Sequence, residues 1–187
     1  MTDTVKERLG GDTQAKGMWA WTALRILLGW SFFWAFLDKF FGLGFATCRL
    51  ESGDIDFLCD SAMSQGGSPT YGFLEFGTRG SHTGGLFDWM ASAGPDTIGF
   101  ADVLFMAALF FGGLALMLGI GVRIAAYGGA LLMFFMFLAV DVWPTNNPIN
   151  SSHVIEMVAF LGIASVGPGP FSLQGWFDRT FGWDWVK

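Results

Sequence analysis

Charge is what this chain has least of. Lys, Arg, Asp and Glu together make up 14% of its 187 residues, where a soluble globular domain carries about a quarter. The charge present is net negative, −6, and no stretch gathers Lys and Arg. Nucleic-acid binding, which needs basic side chains massed against phosphates, is excluded on that ground. Histidine is rarer still: His82 and His153 are the only two. With His82 in a polar stretch, a haem held by two histidines within a membrane is excluded by count. Cysteine also numbers two, too few for an iron–sulfur set, and there is no flavin fingerprint. The first 17 residues are polar and of mixed charge, without the short apolar stretch and small-residue cleavage site of a signal peptide. The first hydrophobic run is therefore expected to remain as a membrane anchor.

What the chain has in excess is apolar bulk in long runs. Hydrophobic residues are 52% of the total, with 21 Phe and nine Trp. A membrane-crossing helix needs about 20 mostly apolar residues. Four stretches meet or approach that length: 18–41, 98–118, 124–142 and a shorter one at 151–167. The expected fold is all-α, an integral membrane four-helix bundle forming a single domain. Short turns join the last three spans, and a long polar loop, 42–97, joins the first two. Within it, Leu86–Ala93 is expected to form a short amphipathic helix ending at Gly94-Pro95. Ala108 with Gly112, and Ala125 with Gly129, place small residues four apart and permit close helix packing.

Orientation follows from Lys and Arg, which favour the cytoplasmic side. With the N-terminus inside, Lys6, Arg8, Lys16, Arg25, Arg123, Arg179 and Lys187 lie inside, and Lys39, Arg49 and Arg79 outside. Both termini are then cytoplasmic, loop 42–97 is extracytoplasmic, and the chain is a multi-pass protein of the plasma membrane. The tail 170–187 alternates aromatics such as Trp176, Phe181 and Trp183 with polar residues, the pattern of a segment lying in the membrane interface. Cys48 and Cys59 both fall in the outer loop, where a disulfide is permitted. A redox-active or metal-binding pair is the alternative, although the separation is not that of a CxxC motif.

In an up-down bundle the first and third spans end outside, and the second and fourth begin there. Asp38, Lys39, Asp102, Asp141, His153 and Glu156 then share one layer near the outer face. Ionisable groups inside a span cost about 2.5–3.5 kcal/mol or more each, so they are kept when paired, interfacial or functional. His153 and Glu156, three apart, share a helix face. Asp38 is a natural partner for His153, and Lys39 for Glu156 or Asp141. The alternative is that these groups sit among lipid headgroups and merely end the helices. Arg25 stands apart, about one turn inside Trp21, placed either to snorkel to the cytoplasmic headgroups or to bind a ligand from within.

Three stretches carry a family resemblance. Leu24-Arg25-Ile26-Leu27-Leu28-Gly29, followed by Ala35-Phe36-Leu37-Asp38-Lys39, resembles the opening helix of the DoxX/DoxD family. Leu118-Gly119-Ile120-Gly121-Val122-Arg123-Ile124-Ala125 resembles that family's link between its second and third helices, and Asn147-Pro148 ahead of His153 its entry into the fourth. The resemblance is closest to the DoxD-like branch, the membrane subunit of thiosulfate:quinone oxidoreductase. It implies a four-helix membrane subunit that passes electrons from thiosulfate to quinone. On that reading His153, with Glu156 or Asp38, exchanges protons, and Lys39 and Arg25 attract an anion or a quinone carbonyl. Asp102 and Asp141 complete the polar layer beside the cofactor. Expected partners are the lipid bilayer, quinone and other membrane or extracytoplasmic subunits. A non-catalytic accessory subunit of a larger respiratory or redox complex is the competing expectation.

Overall fold

A computed structural model describes residues 3–91, 94–142 and 151–181; the side chains of residues 3–16 and of Asp141 are outside that description. The regular structure of the described residues is helical, with no strand beyond one isolated bridge, Arg49 to Ile55, in the irregular connection after α1. Its helices are α1 (Asp3–Phe41), α2 (Phe100–Leu118), α3 (Val122–Met136), α4 (Ser152–Val166) and α5 (Gln174–Phe181). Three stretches are long and apolar enough to cross a membrane: Gly17–Phe41 within α1, α2, and Val122–Val140. α4 is apolar but has only 15 residues, about 22 Å at 1.5 Å per residue.

Each boundary has a local cause. Gly99 donates its backbone N–H to the Asp102 carboxylate at 2.7 Å, closing the first turn of α2. Gly119 and Gly121, at φ 71° and 59°, turn the chain from α2 into α3 within three residues; a side chain at either would strain that left-handed backbone. Ser151 caps α4 by accepting the Val154 N–H at 3.2 Å. Beyond Met136, α3 widens into a π-helical turn over Phe137–Asp141. The helix expected over Leu86–Ala93 is replaced, in its described part, by separate 3₁₀ turns at Gly84–Leu86 and Asp88–Met90. The pair Gly84-Gly85 on one side and Gly94-Pro95 on the other hem in that run, leaving too few residues to propagate an α-helix.

α1 packs on α2 and α4, and α3 on those same two helices. Backbones approach closely at Gly29 and Gly113, where a Cβ on either would sit 2.9 Å from the other's carbonyl oxygen. At Gly129 a Cβ would press on the Phe160 ring at 2.8 Å. The close contact on α2 is thus Gly113 rather than Gly112, which has room for a Cβ. Phe32, Leu109, Leu116, Phe160 and Ile163 form the dry interior. The outward faces are just as apolar: Leu27, Val103, Phe111, Ile124, Leu131 and Val158 are all exposed. Apolar faces this continuous, on each of α1 to α4, suit hydrocarbon as solvent.

Candidate functional site: an apolar pocket with one lysine

The end of the molecule carrying the α1–α2 connection is organised by two buried carboxylates. Asp38, 1% exposed, lies in the last turn of α1. Its oxygens accept the backbone N–H groups of Phe45, Ala46 and Thr47 at 2.8, 3.0 and 3.1 Å. The chain reverses at Gly42, so its next amides point back at the helix end. Asp102 is fully buried. Besides Gly99, it accepts the Thr70 N–H at 2.9 Å and the Ser68 and Thr70 hydroxyls at 2.8 and 2.6 Å. Each carboxylate exchanges its water shell for several aligned donors, which is what keeps a buried charge tolerable. Asp38 and Asp102 thereby fasten two parts of the long loop to α1 and α2.

At the opposite end, Arg25 is 1% exposed. Its guanidinium donates to the carbonyls of Leu116, Phe171 and Pro170, while Nε is buried with no partner among the described residues. Ser172 donates to the Gly119 carbonyl and the Gln174 side chain accepts the Gly121 N–H. The segment leading into α5 is so tied to the end of α2 and to the turn that follows it. Arg25 and Lys39 are separated by 14 residues of α1, about 21 Å along the helix, so they belong to different sites.

Between α2, α3 and the loop lies a pocket of about 540 Å³. Its walls are apolar residues such as Phe105 and Ala108, Leu132 and Phe135, and Phe73 and Phe87, drawn from stretches 100–108, 132–139, 69–74 and 86–90, together with Lys39. Among these lining residues Lys39 carries the only charge. Lys39 also stands 6.0 Å from the centre of the Phe105 ring, within reach of a cation–π contact. Leu104 and Phe135, exposed on the outward faces of α2 and α3, line the pocket too, as do exposed Leu86, Trp89 and Phe100. The cavity is therefore open at the outward apolar faces of α2 and α3 as well as beside the loop. The widened turn of α3 contributes Leu138 and Ala139 to the wall, and the Leu138 carbonyl accepts the Thr83 hydroxyl.

Of the residues singled out from sequence, the structure brings Lys39 to this pocket and seats Asp102 behind its wall, next to lining residues Ala101 and Thr70. His153 and Glu156 are half-buried on α4 and do not line it. The side chain of Asp141 is outside the described residues. Cys48 and Cys59 are joined as a disulfide, Cα–Cα 5.7 Å. The apolar lining was not legible beforehand; Phe105 and Leu132 look like any other span residues until the loop covers them. Among the described residues no three metal-ligating side chains gather. No family model, curated protein or solved structure matches this chain.

Proposed function

We propose that this chain is the membrane subunit of a quinone-linked oxidoreductase of DoxX/DoxD type. The observation that supports the reading most is the apolar pocket, open at the outward faces of α2 and α3, in which Lys39 is the only charge among the described lining residues. A bilayer-dissolved molecule with an apolar body and a hydrogen-bond-accepting head suits such walls. A quinone has that chemistry: its ring and chain fit against Phe105, Leu104 and Phe135, and the Lys39 ammonium can donate to a ring carbonyl. With thiosulfate as donor, two thiosulfates couple into tetrathionate and release two electrons; the quinone takes both with two protons. On this reading α4 crosses the bilayer with the other three helices, both termini are cytoplasmic, and the pocket lies near the outer leaflet.

The test is photolabelling with an azidoquinone in nanodiscs, followed by peptide mapping. Labels should fall on Phe100–Ala108 and Leu132–Ala139 and be displaced by unlabelled quinone. Lys39→Met should weaken labelling by about tenfold or more, because a charge-assisted hydrogen bond contributes about 1.5–3 kcal/mol. Labelling spread evenly over the lipid-facing helices and indifferent to Lys39→Met would reject the reading. The accessory-subunit alternative draws on a specific observation of its own. Asp38, Asp102 and Arg25 are occupied in holding segments together, as expected of a polar layer that serves architecture.

A further inference from the structure

The stretch between the two cysteines displays its side chains instead of burying them. Residues 49–58 are exposed without exception. Four of them are large and apolar: Leu50, Ile55, Phe57 and Leu58, 38–59% exposed, with Phe45 beside them at 66%. Such exposure is what a loosely held loop would show, but this loop is tightly held. The Cys48–Cys59 disulfide closes it. Arg49 bridges Ile55 across it, and the Asp56 N–H reaches the Cys48 carbonyl at 3.0 Å. Its base is fixed by Asp38 and by the Leu58 N–H on the Phe41 carbonyl at 3.2 Å. The hairpin therefore presents apolar side chains in one conformation, and the ordering cost of binding is largely met in advance.

Charge decides what can cover them. Glu51, Asp54, Asp56 and Asp60 stand exposed around the apolar residues, against one cation, Arg49. A net charge of −3 repels anionic headgroups, and carboxylates on either side of Ile55 oppose insertion into hydrocarbon. A second copy would bring the same negative ring against itself. We propose that the 48–59 hairpin is a docking knob for a soluble or peripheral protein whose apolar patch is ringed by Lys and Arg. This does not depend on what the pocket binds. It assigns the exposed hairpin to the apolar-centre, charged-rim pattern of transient protein interfaces.

The probe is mitochondrial cytochrome c, a small soluble protein with lysines around an apolar patch, titrated onto the full chain in nanodiscs of uncharged lipid. Wild type should bind, and raising NaCl from about 20 to about 200 mM should weaken binding by about tenfold or more. Neutralising the ring (Glu51→Gln, Asp54→Asn and Asp56→Asn together) and removing the apolar centre (Ile55→Ser with Phe57→Ser) should each cost about tenfold. All five positions are exposed, so folding is spared, and non-reducing mass mapping checks that the disulfide persists. Binding that is absent, or that ignores both variants, overturns the proposal. A photo-crosslinking amino acid in place of Phe57 tests the rival occupants without the probe. Adducts with lipid would mean that the hairpin seats in the bilayer, and adducts with a second copy would mean self-association; either result also overturns it.

Discussion

Replacing Asp38 by Ala separates an architectural from a catalytic role for that residue. Three backbone amides, at Phe45, Ala46 and Thr47, would lose their acceptor. A buried donor left unsatisfied costs about 1–3 kcal/mol. The three sit at the base of a surface loop, which can open to water, so the penalty is capped by local opening at about 2–4 kcal/mol. At 1.4 kcal/mol per factor of ten, amide exchange at these positions should accelerate by about 30- to 700-fold. Amides in the middle of α3, remote from Asp38, should keep their protection. Hydrogen exchange with mass spectrometry on protein in nanodiscs reads both. Unchanged protection at residues 45–47 would refute the argument, because those amides would then have another acceptor. A companion Asp38→Asn variant keeps one oxygen for the amides. If it retains protection but loses quinone reduction, Asp38 takes part in proton transfer after all.

Arg25→Met leaves the Pro170 and Phe171 carbonyls without their donor; trypsin should then cleave at Arg179 at least about ten times faster, while Arg25→Lys recovers part of the resistance. Gly113→Val forces a side chain into the α1–α2 crossing, where even a Cβ meets the Phe33 nitrogen at 2.8 Å. The expected loss is about 1–3 kcal/mol in reversible unfolding, and a neutral result would mean that the helices do not cross there. After reduction in intact cells, Cys48 and Cys59 should react with an impermeant maleimide; reaction only after permeabilisation would reverse the proposed topology. His153→Ala, on a helix that does not line the pocket, should leave azidoquinone labelling there within about twofold. Loss of labelling would bring His153 into the site.

The cysteines show how far a pattern can narrow a structure. Their place in one polar loop permitted a bond or a redox pair, and the Cα–Cα approach of 5.7 Å realises the bond. The ionisable layer went less far. An alternating helix order does put Asp38, Lys39 and Asp102 towards the same end, as the loop contacts show. Depth alone says nothing about partners, and pairing charge with charge is only one way to satisfy a carboxylate. Backbone amides seven to nine residues after Asp38 satisfy it instead, and they reach it only because the chain reverses at Gly42.

By itself the sequence determined the apolar helices and their approximate ends. A backbone without water must bond internally over about 20 residues, and that demand is written in consecutive apolar positions. It also determined which few residues would bear charge amid them. Only the tertiary structure decided what those residues touch. The pocket draws its walls from the loop, α2 and α3, segments up to about 70 positions apart in the chain. Whether an apolar side chain faces lipid, core or cavity depends on what packs over it, which no local periodicity encodes. Lys39 becomes the one charge among the described residues of an apolar cavity through the fold of residues 69–90 above it, and not through anything in its own helix.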